Sequence, residues 1–153
     1  ISGWYDGTGT ALSLFTTASY ASTGHVERLR ITSSGRFQYY SSGGQFSSFR
    51  ETFRSGNVAH NGTFTAQTHN CHACGTVTIT ANLQGSSNNK RCEQYPISLN
   101  STSNASLGSY LFRIDGSTGQ SFSVSGTSRG VTVTNVSGNT VFITVTFDIT
   151  GSC

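Results

Sequence analysis

The chain has 153 residues, of which 34% are apolar and only 10% are charged, with a net charge of +3. This apolar content is low against the roughly 45–50% of ordinary domains, a figure that also counts glycine, and favours either a polar-surfaced β-sandwich or a fibrous β-rich chain that buries apolar surface between subunits. The basic residues are too sparse for a nucleic-acid-binding patch and no apolar run could span a membrane, so neither nucleic acid nor membrane insertion is expected.

Residues 27–35 predict a strand that ends in a turn. Side chains on a strand alternate between its two faces, which places Leu29 and Ile31 on one face and Arg30 on the other. A Ser-Ser-Gly sequence then predicts a turn in which Gly35 adopts a positive φ.

This sequence, ERLRITSSG, resembles the strand-turn repeat of tailed-bacteriophage tail-fibre proteins, together with its lead-in at residues 12–17 and its follow-on at residues 36–39. The resemblance implies a strand-rich segment that is intertwined with other copies as a homotrimer. It also implies contacts with other virion tail proteins and a location in the virion tail fibre, extracellular after release. The residues to which it assigns assembly are Leu29, Arg30, Ile31 and Gly35.

Helical periodicity appears only at residues 46–53, where Phe46, Phe49 and Phe53 have the i, i+3, i+7 spacing of one helix face. This spacing predicts a short helix or an irregular connector packed by its aromatic side chains. A Ser-Gly-Asn sequence at residues 55–57 then breaks the pattern. We therefore expect a shaft-like strand and turn segment over residues 1–56 and a head over residues 57–153.

In the head, apolar and polar residues alternate with a period of two, most clearly over residues 77–83 and 141–149, with Phe142 as an exception on the polar face. Pro96 predicts an edge strand or a strand's beginning, and residues 136–140 predict a hairpin loop. Short strands separated by Gly, Ser and Asn turns are typical of an antiparallel sandwich or jelly roll. The predicted fold is all-β: a short fibrous segment followed by an antiparallel β-sandwich or jelly-roll-like head.

The cysteines and histidines allow three interpretations. Four cysteines could form two disulfides, in any of three pairings, or stay free in a reducing bacterial cytosol. A Cys-x-x-Cys pair between two histidines could instead bind a metal ion such as zinc, but a second close pair of ligands is missing, so no cofactor is expected. The cysteines are Cys71, Cys74, Cys92 and Cys153. The candidate metal ligands are His69, Cys71, His72 and Cys74.

Catalysis is poorly supported by the residues. A glycosidase needs two carboxylates placed across one sugar bond, whereas most of the six here have turn positions or arginine neighbours that explain them. Neither a Gly-x-Ser-x-Gly elbow nor a phosphate-binding loop occurs in the sequence. The chain is therefore not expected to be an enzyme.

Polar loops beside tyrosines are candidates for receptor binding, because glycan recognition needs aromatic platforms next to hydrogen-bonding side chains. The candidates are Asn88, Lys90, Arg91, Tyr95, Asn100 and Asn104. We expect a non-enzymatic, trimeric tail-fibre component that attaches to a host cell-surface glycan or protein. The alternatives are a purely structural virion or extracellular filament subunit, and a secreted lectin-like β-sandwich module.

Overall fold

The computed structural model describes residues 2–5, 10–17, 25–32, 35–40, 46–68, 72–83, 90–100, 102–115 and 121–152, and these contain thirteen strands and no helix. The strands are β1 (Ser2–Tyr5), β2 (Thr10–Thr17), β3 (His25–Ile31), β4 (Phe37–Tyr40), β5 (Phe46–Val58), β6 (Thr63–Gln67), β7 (His72–Leu83), β8 (Lys90–Leu99), β9 (Ser106–Leu107), β10 (Phe112–Asp115), β11 (Phe122–Thr127), β12 (Gly130–Asn135) and β13 (Val141–Ser152). The all-β class and the antiparallel sheets are confirmed.

The strands form two antiparallel sheets. Ten belong to one sheet with the order β1-β2-β3-β4-β5-β13-β7-β8-β10, in which β9 also pairs with β8. The other sheet has three strands in the order β11-β12-β6. The predicted boundary at residue 56 falls within β5, so strands from the predicted shaft and the predicted head are hydrogen-bonded in one sheet.

The core lies between the two sheets and follows the predicted period of two. Every second residue of β13, from Val141 to Ile149, is buried, and so are Val77 and Ile79 of β7. Val131 of the three-stranded sheet belongs to the same cluster. Burying a side chain of this size stabilises a fold by about 1.5–3 kcal/mol. Because β13 buries one at every second position, it is the central element of the sandwich.

The prediction of a helix or an irregular connector at residues 46–53 is wrong, because these residues belong to β5 and pair with both β4 and β13. Phe49 and Phe53 are four residues apart, a spacing that places side chains on one face of a helix and equally of a strand. Phe49 is buried, and the ring of Phe53 meets that of Phe147 edge to face with centroids 5.9 Å apart.

The Ser-Gly-Asn sequence at residues 55–57 does not end the strand but forms a β-bulge in it. Arg54 lies opposite Thr144 whereas Asn57 lies opposite Phe142, so β5 contains an extra residue at this point. The hydroxyl of Ser55 accepts a hydrogen bond of 2.7 Å from the backbone N–H of Ile143.

Two further expectations about the head are wrong. Residues 136–140 do not close a hairpin, because β12 belongs to the three-stranded sheet and β13 to the ten-stranded sheet. Pro96 lies inside β8, between the residues that pair with β10 and those that pair with β9. At this gap the carbonyl of Pro96 accepts a hydrogen bond from the N–H of Gly108, and proline, which has no N–H, cannot donate one in return.

Candidate assembly and binding face

The turn predicted after residue 32 is present and joins β3 to β4. Gly35 has a φ of +80°, and its N–H donates to the carbonyl of Thr32 at 2.9 Å. The Thr32 N–H in turn donates to the carbonyl of Arg36 at 2.9 Å. The positive φ confirms the predicted conformation of Gly35, and the turn fixes the register between β3 and β4.

The N-terminal strands present apolar side chains on the outer face, the side of the ten-stranded sheet that points away from the core. These side chains form two rows across β2, β3 and β4, which we call the apolar patch. The rows are Leu12, Ile31 and Phe37, and Leu14, Leu29 and Tyr39. Leu12, Phe37 and Tyr39 are 44%, 42% and 49% exposed. Leu29 and Ile31, which the resemblance assigns to assembly, share one face as predicted and lie at the centre of the patch.

Behind the apolar patch the sheet is polar, which reverses the usual arrangement. Ser13 and Gln38 are buried, and so is the ion pair of Arg36 and Glu51, whose side chains are 5% and 8% exposed. The Arg36 Nη2 atom lies 2.6 Å from both carboxylate oxygens of Glu51. Contiguous exposed apolar side chains are typical of interaction surfaces.

A polar groove of about 250 Å³ adjoins the apolar patch where β4, β5 and β13 run side by side. We call it the outer groove, and its lining side chains are Tyr39, Ser48, Arg50, Asp148 and Thr150. Phe49 and Ile149 also border it, but their side chains are buried in the core, so only their main chains face the groove. The Arg50 Nε atom lies 3.6 Å from Asp148 Oδ1, and the two side chains are 65% and 45% exposed.

Hydroxyl groups continue the outer face beyond the outer groove. The hydroxyls of Thr52 and Thr146 lie 3.0 Å apart on neighbouring strands. The Gln94 amide donates to Thr78 at 3.2 Å and to Thr76 at 3.4 Å. The outer face therefore changes from apolar over β2 to β4 to hydroxyl-rich over the centre of the sheet.

A separate charged cluster joins β10 to the inner side of β8. Glu93 is only 2% exposed, and it accepts hydrogen bonds from Arg91 Nη2 at 2.5 Å and from the hydroxyl of Tyr95. Arg113 Nε donates to Asp115 Oδ2 at 2.7 Å and lies 3.6 Å from Glu93. Because each carboxylate has a guanidinium beside it, the cluster is an ion-pair network that attaches β10 to β8.

The network shifts the pKa values of three of its members, Tyr95, Asp115 and Arg113, and the hydrogen bond to Asp115 raises the pKa of Arg113. Burial raises the pKa of Tyr95, and its hydrogen bond to Glu93 raises it further. The hydrogen bond from Arg113 lowers the pKa of Asp115. The phenol thus stays neutral and the carboxylate stays charged over the physiological range.

The receptor-binding candidates do not form one site. Arg91 was expected in an exposed loop, but it lies in β8 and is buried, with its guanidinium 5.0 Å from the ring centroid of Phe122. Lys90 is exposed at the start of β8 and Asn100 follows its end, roughly 30 Å away at the rise of a strand.

The other candidates are placed as follows. Tyr95 is half-buried, with its ring 6.4 Å from that of Tyr110, and Asn104 is exposed and forms a bridge with Ser128. Asn100 accepts hydrogen bonds from Thr102, which closes a local turn. Asn88 lies outside the described residues.

Cys74 and Cys92 carry free thiols. Cys74 lies opposite Ser98, six residues along β8 from Cys92, a separation of roughly 20 Å that is far beyond the roughly 7 Å limit for a disulfide. Cys71 and Cys153 lie outside the described residues, as does His69.

His72 and Cys74 are both exposed on one face of β7. Among the described residues, no group of three histidine, cysteine or carboxylate side chains is placed to hold a metal ion. In the same part of the chain, no helix is long and apolar enough to cross a membrane.

Sequence reasoning missed the outer groove and the ion-pair network. Arg50 and Asp148 come together only through the pairing of β5 with β13, which no local pattern predicts. A signal for the network was present in β8, where Arg91, Glu93 and Tyr95 occupy alternate positions and therefore share one face.

Comparison with known proteins gives no relative: no family model matches the chain, and no curated protein or solved structure matches it either.

Proposed function

We propose that this chain is a non-enzymatic, homotrimeric component of a phage tail fibre that attaches the virion to a host cell-surface glycan or protein. In this proposal the chain contacts other virion tail proteins and is extracellular after release. The observation that carries it is the apolar patch. Leu29 and Ile31, two of the residues that the resemblance assigns to assembly, lie at the centre of this patch, and its members Leu12, Phe37 and Tyr39 are exposed in the single chain.

Trimerisation would bury the middle of this patch, around Leu29 and Ile31, and would place three outer faces around one axis. Weak contacts to a repetitive cell surface would then add through multivalency. The charged groups support binding without turnover, because the buried carboxylates Glu51 and Glu93 are each held by an arginine.

Sedimentation velocity over a range of protein concentrations tests the assembly. The expected species has three times the 16.2 kDa mass of one chain, and a stable monomer at all concentrations would contradict the proposal and favour the secreted lectin-like module. Adsorption of the labelled trimer to a panel of intact bacterial cells tests attachment. Binding should occur without release of reducing sugar from the cell surface, and such release would show an enzyme instead.

A purely structural filament subunit is the second candidate, and β10 favours it. Among the described strands this one pairs with β8 alone, and it exposes Phe112 and Ile114, next to the exposed Tyr110 and Leu111. Exposed apolar edge strands promote pairing with another chain. Open-ended species larger than a trimer, with no adsorption to cells, would support this candidate.

A further inference from the structure

The outer groove combines a hydrogen-bond donor and an acceptor that have spare capacity. The 3.6 Å between Arg50 Nε and Asp148 Oδ1 exceeds the usual length of an N–H···O hydrogen bond, and both groups are well exposed. A guanidinium has five N–H donors and a carboxylate about four acceptor positions. Both groups can therefore bind a ligand while they remain paired.

An aromatic ring lies beside this pair. Tyr39 neighbours Phe37 and Ser48 on the outer face, and about half of its surface is exposed. The face of an aromatic ring is electron-rich and apolar, so it attracts the weakly positive C–H groups of a flat, partly apolar ligand. The hydroxyls of Ser48 and Thr150 add two groups that can both donate and accept hydrogen bonds.

The charge of the outer groove restricts the ligand. Arg50 and Asp148 neutralise each other, so an anion such as a phosphate would meet the carboxylate as well as the guanidinium. A neutral ligand with adjacent hydroxyls fits both groups, since each hydroxyl donates to a carboxylate and accepts from a guanidinium. A pyranose ring has such hydroxyls along its rim and C–H groups on its face.

We propose that the outer groove binds one uncharged pyranose residue of a glycan, with the ring on Tyr39 and two adjacent hydroxyls on Arg50 and Asp148. This inference rests on the proposed attachment function and gives it a site and a ligand class. It moves recognition from the loops of the predicted head to the centre of the large sheet. Because Tyr39 belongs to both the apolar patch and the outer groove, the three grooves of a trimer lie at the borders of its interfaces.

The test uses the full chain and an array of purified neutral hexose oligosaccharides, with uronic-acid oligosaccharides printed beside them. We expect binding to at least one neutral probe, with a dissociation constant on the order of 1 mM for a single site. Arg50→Gln and Asp148→Asn should each weaken this binding by about tenfold or more, because each removes one side of the hydroxyl recognition. Tyr39→Ala should weaken it similarly, and Tyr39→Phe, which keeps the ring, should weaken it less.

Arg54→Gln is the matched control, because Arg54 lies on the same strand and face but outside the groove, with its guanidinium 6.0 Å from the ring centroid of Phe142. It should bind as the wild type does. Binding to acidic probes alone, no binding to any probe, or groove variants that bind within twofold of the wild type would each overturn the inference. Circular dichroism and sedimentation of each variant show whether its fold and assembly are intact.

The experiments distinguish failure of the groove proposal from failure of the proposed function. If the chain is trimeric and adsorbs to cells but the groove variants adsorb equally well, the groove is wrong and the attachment function stands. If the chain is monomeric and adsorbs to no cell, the attachment function itself is wrong.

Discussion

Arg36 and Glu51 form a buried ion pair, and the guanidinium also lies 5.4 Å from the ring centroid of Phe49. A buried pair of this kind adds little over a well-packed apolar pair, but the loss of one partner leaves an uncompensated charge in the interior. Substitution of one partner therefore tests whether water reaches the inner, polar face of these strands.

We predict that Arg36→Met lowers the free energy of unfolding by about 3–5 kcal/mol, because the Glu51 carboxylate then lacks a cation. Urea denaturation measures the change. Arg54→Met is the control, since Arg54 is exposed on β5, and it should have little effect. The double variant Arg36→Met with Glu51→Leu should recover most of the loss. A loss of less than about 1 kcal/mol in the single variant would show that the pair is solvated.

Tyr95 is expected to make the protein less stable in alkaline solution. Burial, then the hydrogen bond to Glu93, raises the pKa of Tyr95 above its ordinary value of 10.0. Because the folded-state pKa is the higher one, the stabilisation is complete below the unfolded-state pKa and is lost as the pH rises from there through the folded-state pKa.

The measurement is the free energy of unfolding between pH 8 and about 11, in the wild type and in Tyr95→Phe. The wild type should lose stability relative to Tyr95→Phe once the pH passes 10.0, the ordinary pKa of a free tyrosine. Tyr39→Phe serves as the control for an exposed tyrosine. Parallel curves for the wild type and Tyr95→Phe would show that the phenol of Tyr95 titrates alike in the folded and unfolded chain.

At the scale of the elements, β5 depends on a side chain at its bulge, where the hydroxyl of Ser55 replaces a main-chain acceptor. Ser55→Ala would leave the buried N–H of Ile143 without its acceptor, and such a loss costs about 1–3 kcal/mol. We expect this decrease in urea denaturation, together with faster hydrogen exchange at the Ile143 amide. Ser98→Ala, at an exposed strand position, is the control. An unchanged stability in Ser55→Ala would mean that water satisfies the amide.

The sequence predicted those elements whose two faces differ in polarity. In β13 and β7 one face is apolar and the other is rich in threonine, so the sequence alternates clearly with a period of two. In β5 the inner face contains Phe49, Glu51 and Phe53, and the alternation is lost. The prediction that Arg91 lies in an exposed loop was wrong for the same reason. A charged residue on the inward face of a strand has the sequence pattern of a loop or surface residue.

The candidate site was predictable only in part. Leu29 and Ile31 were assigned to assembly from one local motif, and they do lie in an exposed apolar patch. The patch itself depends on the register of β2 and β4 against β3, and the outer groove depends on the pairing of β5 with β13. These are non-local pairings, and one strand's pattern contains no information about its neighbour.

At the scale of the whole molecule, one sheet joins two halves of opposite polarity. Around β13 and β7 the apolar side faces the core and threonines face outward, whereas over β2 to β4 the apolar side faces outward. The outward-facing apolar side of β2 to β4 does not stabilise a monomer. Each Å² of apolar surface that stays in water lacks the roughly 25 cal/mol of stabilisation that burial would give. In the proposed trimer, a second copy of the chain covers this apolar surface.

Phe37 and Phe112 allow a matched test of this arrangement, because they are 42% and 41% exposed on the same outer face, and four strands (β5, β13, β7 and β8) separate β4 from β10. Phe37→Lys places a charge in the apolar patch and should shift the trimer to monomers of 16.2 kDa in sedimentation velocity. Phe112→Lys places the same charge on β10 and should leave the trimer intact. Both variants should keep the circular dichroism of the wild type, since neither side chain belongs to the core cluster. The reverse outcome, with monomers from Phe112→Lys alone, would place the interface at the β10 edge, and trimers from both variants would remove the apolar patch from the assembly.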